Sequence, residues 1–552
     1  MGLAMSTPVD KMNGPYKRRW AALGVLCLSL LIIVMANTSL TVAAPGMVQD
    51  LGLGSSDLQW VIDGYTVPYA ALMLILGAVG DKYSRRGALV LGLLVFGAAS
   101  VAGSLVDSST GVIAARAVMG VGAAMIMPAT LSLLAATFPR EERAKAITIW
   151  TATAGLAIAI GPLVAGALLE DHGWASTFLI NVPIAAIGII GALLLVPPSK
   201  ASGVDRIDYI GGLLSVIWVG SLIYMIIEGP HFGWGTSAIV AAVVAGLGLL
   251  AFIGWELRHP RPVLDVRRFA ERAFAGSTLA VALFFLAVFG TFYYLTQHLQ
   301  FVLGYSALDT GIRMLPLAGA VFVGGALTAL LTPKAGMKAT VALGMTVGTV
   351  AIALLTRIDA NSTYDDFVLP LIILGLAIGL SLSPCTNAIM GSFPEDKLGV
   401  GGAVNSTSIE LGGSLGIAIL GTVLAKTYSS NLADAAAKTA AAGGPKLPEK
   451  ALSAAQDSVG AGLAVAKEAG KQVAAGAAPK VGAEKAAALG AQQAQSVVEA
   501  VHKAFADSVA HTSVVGAVIL GVGTVVVAVL LPRRGSSAAA EAPAEAKVDE
   551  RV

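Results

Sequence analysis

The sequence predicts an all-α membrane protein with fourteen spanning helices, and three observations carry that reading. Of 552 residues, 56% are hydrophobic and only 13% are charged, whereas soluble domains carry about 25% charged residues. Mean hydropathy is +0.78, so the surplus apolar surface needs lipid as its solvent. Apolar runs of spanning length recur along the chain, and Lys and Arg alternate between the loops that join them.

A span takes about 20 mostly apolar residues. Such runs occur at 20–44, 58–80, 88–106, 112–136, 144–169, 177–197, 209–228, 236–256, 274–296, 311–332, 338–356, 368–392, 404–426 and 512–532. Runs such as Ala70 to Leu76 lack the alternation of a barrel strand. The first run is too long for the apolar region of a signal peptide and reads as a span behind the basic tail Lys17-Arg18-Arg19.

Basic residues mark the cytoplasmic loops of membrane proteins. Here they fall on loops of one parity: Arg85 and Arg86 after the second span, Arg140, Arg143 and Lys145 after the fourth, Arg206 after the sixth, five arginines from Arg258 to Arg272 after the eighth, Lys334 and Lys338 after the tenth, and Lys397 after the twelfth. The short loops of opposite parity hold Arg357 and several acids. Both termini are therefore expected in the cytoplasm. The long connection 427–511 must then lie outside it, since long loops translocate regardless of their lysines. Its Ala, Lys, Glu and Gln favour helix, and Gly476 to Pro479 is expected to break it into two amphipathic helices, an external hairpin; the alternative is a disordered Ala-rich loop. The tail 533–552, rich in Ala, Glu and Pro, reads as disordered.

Cys27 and Cys385 lie inside apolar runs and read as free thiols. The chain has no Gly-x-x-x-x-Gly-Lys-Ser/Thr loop for ATP, no His/Cys cluster for a metal and no concentrated basic patch for nucleic acid. These patterns suggest a transporter rather than an enzyme, with no cofactor beyond an ion gradient.

Three motifs carry the functional reading. Gly77-Ala-Val-Gly-Asp81-Lys-Tyr-Ser-Arg85-Arg86-Gly87 joins the second and third spans. Glycines allow close helix packing there, and Asp81 with Arg85 and Arg86 can form charge-assisted pairs at helix ends; bare topogenic charge explains the basic residues but not the Gly77–Asp81 spacing. Arg116-Ala-Val-Met-Gly120-Val-Gly122 lies inside the fourth span, where an arginine is costly and needs a partner or water. The fifth span carries Gly155, Gly161-Pro162 and Gly166; Gly-Pro interrupts a helix's hydrogen-bond ladder.

In this order and at these spans, the motifs resemble those of the major facilitator superfamily: its signature loop (with Ser84 in place of the second Gly), its Arg-x-x-x-Gly-x-Gly pattern and its antiporter motif (with Ala165 where Gly is common). Leu58 to Tyr65, Trp174 to Pro183, Asp208 to Gly211 and Glu228-Gly229-Pro230 are similar to the fourteen-span drug:proton antiporters of the QacA and EmrB kind. The resemblance covers nearly the whole chain. It implies a cytoplasmic N-tail at 1–19, a six-helix bundle at 20–197, linking helices within 198–273, a second six-helix bundle at 274–532 that includes the loop 427–511, and a tail at 533–552. It also implies proton-driven export of a hydrophobic small molecule across the bacterial cytoplasmic membrane by a monomer.

Intramembrane acids that water can reach are suited to carry protons. Asp63 and Glu410 fit that description, and the resemblance adds Arg116 as a proton-coupling residue. Asn37, Gln59, Tyr65, Tyr293, Tyr294, Gln297, Asn387 and Asn405, with Glu410, are candidates for a substrate cavity. Glu228 and Glu256 sit near span ends and read as interfacial. One departure is notable. Where the family reads Asp-x-Thr near the end of the first span, this chain reads Ala36-Asn37-Thr38. The lost acid weakens the expectation of cationic drugs and raises that of a neutral amphiphile, with a lipid exporter of the cell envelope as the alternative and a non-transporting sensor as a third reading.

Overall fold

The computed structural model describes residues 16–532 apart from 52, 54, 202–206, 233, 442–447 and 482. The predicted tail 533–552, most of the predicted N-tail and Arg206 lie outside the described residues. Those that are described form helices and connecting turns, with no strand among them.

The first six spans are α1 (Arg19–Leu51), the pair α2 (Ser55–Asp63) and α3 (Thr66–Tyr83), α4 (Arg85–Ser104), α5 (Ser109–Thr137), α6 (Arg140–Asp171), and the pair α7 (Ser176–Leu179) and α8 (Asn181–Leu195). Two more follow, α9 (Tyr209–Phe232) and α10 (Thr236–Arg258). The last six are α11 (Arg272–Gln297), α12 (Ala307–Arg313) with α13 (Leu315–Ala335), α14 (Met337–Leu354), α15 (Tyr364–Gly391), α16 (Leu398–Ala441) and, after α17 (Glu449–Gln456) and α18 (Val459–Val481), the 48-residue α19 (Ala483–Leu530). Fourteen segments among the described residues are long and apolar enough to cross a membrane. Side chains such as Ile187, Leu247, Leu250, Val525 and Val529 stand more than half exposed on the outer faces of the spans. Lipid accommodates such a belt and water does not.

Helices pack in two groups of six. In the first, α1 lies against α6 and α8, and α5 against α3 and α4; in the second, α11 lies against α16 and α19, and α15 against α13 and α14. The groups meet where α3 and α5 touch α16 and where α6 touches α12, α13 and α15. α9 and α10 pack on each other outside the bundles, with α9 lying along α3.

Two spans depart from the lengths read in the sequence. α16 and α19 do not stop where apolarity ends but continue into the connection 427–511. α18 pairs with the first half of α19, and α17 packs on α18 and α16. Gly476–Pro479 does not break the helix: α18 carries Pro479 inside its last turns and runs to Val481, and α19 begins at Ala483. This helical outgrowth is stapled at its base: Tyr428 Oη donates to Ala455 O at 3.1 Å, and Asn431 Nδ2 to Ser508 Oγ at 3.1 Å. Where α18 crosses α19, a Cβ on Gly470 would sit 2.7 Å from Gly490 O, and one on Gly490 would strike Gly470 O. Gly490→Leu therefore forces two backbones apart, at a cost of about 1–3 kcal/mol. Amide exchange over α18 and its half of α19 should accelerate severalfold in this variant while exchange in α5 stays unchanged; unchanged exchange over α18 would show that the crossing does not hold the outgrowth.

Candidate functional site

The second span is interrupted at Gly64-Tyr65, between α2 and α3. Pro68 has no amide hydrogen to give Gly64 O, so the ladder cannot run through. The interruption leaves the carbonyls of Val61 and Ile62 without helical partners inside an apolar core. Arg116, on α5 and fully buried, takes both: its Nε donates to Val61 O at 3.1 Å and its Nη2 to Ile62 O at 3.0 Å. The same Nη2 donates to Asn37 Oδ1 of α1 at 3.0 Å, and the guanidinium lies 4.6 Å from the centre of the Tyr65 ring. Nη1 has no protein acceptor among the described residues.

Asp63 lies at the C-terminal end of α2, within electrostatic reach of Arg116 in its own bundle and of Tyr293 in the other. Glu410, on α16, is half-buried and makes no hydrogen bond with a described residue. It faces Tyr65 and Tyr69 of α3 electrostatically, across the line where the bundles meet. Arg116, Asp63 and Glu410 thus belong to one neighbourhood, connected through Tyr65. Tyr69 is part of it and was not singled out from the sequence; one turn after Tyr65, its spacing was the available signal.

The remaining candidates are dispersed. Tyr294 is buried within the second bundle, donating to Thr291 Oγ1 at 3.2 Å and accepting from Ser513 Oγ at 2.9 Å. Asn405 is buried and accepts from Thr386 Oγ1 at 3.0 Å. Tyr293 is 36% exposed, and Gln297 Nε2 donates to its carbonyl at 3.3 Å. Asn387 is half-buried on α15, and the Gln59 side chain lies outside the described residues.

At the end of the molecule where α1 begins, the signature loop joins the two bundles. Asp81 and Arg85 are both 3% exposed and paired at 2.7 Å. The other carboxylate oxygen of Asp81 accepts from the amides of Gly399 at 2.6 Å and Val400 at 3.3 Å, in the first turn of α16. A helix N-terminus favours an anion through its unpaired amides and its dipole. Arg85 also donates to Ser199 Oγ at 3.1 Å and to the carbonyl of Glu395. Arg86 donates to Val196 O at 3.2 Å. Gly77 permits the contact, because a Cβ there would sit 2.6 Å from Gly399 O. Sequence reasoning found Gly77, Asp81, Arg85 and Arg86 but not their receptor; the glycine-rich start of α16 was its only trace.

The motif on α6 divides its glycines between neighbours. Gly161 faces Thr38 and Met35 of α1, while Gly155 faces Val321 of α13 and Gly166 faces Leu308 of α12. α6 continues unbroken through Pro162. Thr148 and Ser383 hydroxyls add a 2.7 Å hydrogen bond between the bundles on this side.

Removing the charge of Asp81 should open this end. In Asp81→Asn, Arg85 stays buried without its counter-charge, a loss of about 3–5 kcal/mol for such a pair. A thiol introduced by Ala403→Cys, at a fully buried position of α16, should react with a water-soluble maleimide several times faster when Asp81→Asn is added, in a background lacking Cys27 and Cys385. Equal rates would show that Asp81 does not hold the bundles together.

Comparison with known proteins agrees with this architecture. Residues 26–209 and 201–417 match the family model of the Major Facilitator Superfamily. The chain is 34% identical to the puromycin resistance protein of Streptomyces alboniger over 78% of this chain and 87% of that protein. It is 30% identical to the multidrug efflux pump LfrA of Mycolicibacterium smegmatis over 94% of this chain and 97% of that one. Among solved structures, a bacterial homologue of the lysosomal transporter Spinster, inward-facing and unoccupied, superposes with a TM-score of 0.54 at 17% identity, covering 95% of this chain and all of that one. With its paired six-helix bundles, its inter-bundle latch and these matches, the chain belongs to the Major Facilitator Superfamily.

Proposed function

We propose that the chain exports hydrophobic drugs, antibiotics or other amphiphilic small molecules across the bacterial cytoplasmic membrane in exchange for protons, as a monomer with both termini in the cytoplasm and the outgrowth 427–511 outside. The two relatives named above are a puromycin resistance protein and a multidrug efflux pump, and they align with most of this chain. The observation that carries the coupling is the Asp63–Arg116–Tyr65–Glu410 neighbourhood between the bundles. Glu410 is the acid there that makes no hydrogen bond or ion pair among the described residues, so a proton or a cationic cargo can claim it. Arg116 supplies the fixed positive charge against which either is exchanged.

On this reading, protonation of an acid from outside releases cargo, and proton loss to the cytoplasm resets the carrier by rocking the bundles. The latch at Asp81 holds the cytoplasmic side shut in the conformer described above. A second reading, export of a neutral lipid-like amphiphile, is favoured by one feature. Ala36 is apolar and 4% exposed, and Asn37 beside it is neutral and already committed to Arg116. The first span therefore offers a cation nothing. Elongated lipid density between the bundles would favour this reading.

Everted membrane vesicles test the drive: dye accumulation should collapse when the pH gradient and membrane potential are dissipated, and persistence would refute proton exchange. Arg116→Ala should abolish coupling by at least tenfold with normal membrane insertion; wild-type transport in a well-expressed variant would refute its role.

Glu410→Gln keeps the size of the side chain and removes its charge. A cation in a low-dielectric site needs a counter-charge, so efflux of ethidium should fall about tenfold and that of an uncharged compound much less. Equal loss for both makes Glu410 a proton carrier, and no loss for either makes it structural.

A further inference from the structure

Glu256, expected at the membrane interface from its place near a span end, is fully buried in the last turn of α10. Its Oε2 accepts from the Leu264 amide at 3.2 Å, and its Oε1 has no partner. That free oxygen points at Gly211 in the first turn of α9, where Asp208 also arrives. A Cβ on Gly211 would strike Glu256 Oε1 and sit 2.6 Å from Asp208 Oδ2. The missing side chain is the space in which the two carboxylates converge. Asp208 is 6% exposed and has donors on both oxygens: Gly211 N reaches Oδ1 at 2.8 Å and Trp255 Nε1 reaches Oδ2 at 2.9 Å.

Two buried carboxylates sharing one pocket cannot both stay ionised without a cation between them. Asp208 has the donors that stabilise an anion; Glu256 has the backbone amides of Leu264 and Val263, and its Oε1 has no partner among the described residues. We propose that Glu256 and Asp208 form a proton-binding site in the linking helices, separate from the inter-bundle neighbourhood, in which Glu256 carries the proton toward Asp208. His259 provides the path to water: its Nδ1 is 3.5 Å from Asp208 Oδ2, its ring stacks on Trp255, and it is 30% exposed. The other ionisable groups around the pocket are Lys397 and Asp396 before α16 and Asp265 and Arg268 in the segment after α10. None of them is recorded within hydrogen-bonding distance of Glu256 Oε1.

The site acts on the latch through the chain that it grips. Glu256 holds Leu264. Lys397 Nζ donates to Pro262 O at 2.7 Å, and Arg268 donates to Ser392 O and lies 5.3 Å from the Phe393 ring. Lys397 is two residues before Gly399, whose amide Asp81 holds. When Glu256 loses its proton, a new negative charge appears within reach of Lys397 and competes with Pro262 O for it. The segment 395–400 then moves with the protonation state of a site that no bundle contains. On the orientation proposed above, the proton at this site exchanges with the cytoplasm.

Infrared spectroscopy of the purified full-length protein, titrated with pH, reads the proton directly. The protonated-carboxyl band expected of Glu256 should be present in Glu410→Gln and absent in Glu256→Gln. Asp208→Asn, which removes the like charge, should weaken it at the same pH. Hydrogen exchange gives the second reading: amides at 395–400 should exchange at a pH-dependent excess rate in the wild type that disappears in Glu256→Gln. A band unaffected by Glu256→Gln overturns the site, and so does a pocket that responds to sodium at fixed pH instead of to pH. Loss of drug efflux with the band intact would fault the transport reading and leave the site standing.

Discussion

A carbonyl that leaves its helix inside a bilayer has no water to turn to, and the break between α2 and α3 depends on Arg116 for that reason. Gly64 and Pro68 make the break, since proline cannot donate and its ring crowds the preceding turn. Arg116 receives the Val61 and Ile62 carbonyls that the break leaves. Gly120, one turn further along α5, lets the broken segment approach: a Cβ there would strike Tyr65 O and sit 2.8 Å from Pro68 Cγ. The Arg-x-x-x-Gly spacing on one span and the Gly-x-x-x-Pro spacing on another are thus two halves of one structure. Its consequence is chemical. The arginine is fixed by backbone groups and by neutral Asn37, none of which cancels its charge, and Asp63 lies within its electrostatic reach.

The same accounting governs the end that is shut. Asp81 is buried, which is affordable only because Arg85 and two amides at the start of α16 surround it. Those amides are orphans of helix geometry. If the bundles part, Asp81 and the α16 terminus must each find water instead. The contact is therefore stable in a dry interface and replaceable by water in a wet one.

Much of this was legible in the chain. Lipid forces long apolar runs, and topogenic charge alternates between loops, so fourteen spans could be counted. Arg116 and Asp81 were visible because a charge in a span is too costly to be incidental. What could not be read were partners chosen by tertiary packing: the Val61 and Ile62 carbonyls, the Gly399 amide, the engagement of Asn37. The break in the outgrowth was placed a few residues early, because packing against α19 keeps α18 helical past Pro479 to Val481. Glu256 was misjudged for a different reason. Position near a span end says where a side chain starts, and the segment 259–271 folding back over it decides whether water follows.

The two lines along which the bundles touch differ in kind. On one, α3 meets α16 through the hydrogen bond from the Gly399 amide to Asp81 at 2.6 Å, and Arg85, paired with Asp81 within the first bundle, donates across to the carbonyl of Glu395. These are directional and lost within an ångström of movement. On the other, apart from the hydroxyl pair of Thr148 and Ser383, α6 lays Gly155 and Gly166 against the aliphatic side chains of Val321 and Leu308. Dispersion contacts of that kind have no preferred direction, and small residues let one helix turn over another without lifting. Parting the bundles along α3 therefore breaks directional bonds, whereas sliding along α6 mostly exchanges one dispersion contact for another.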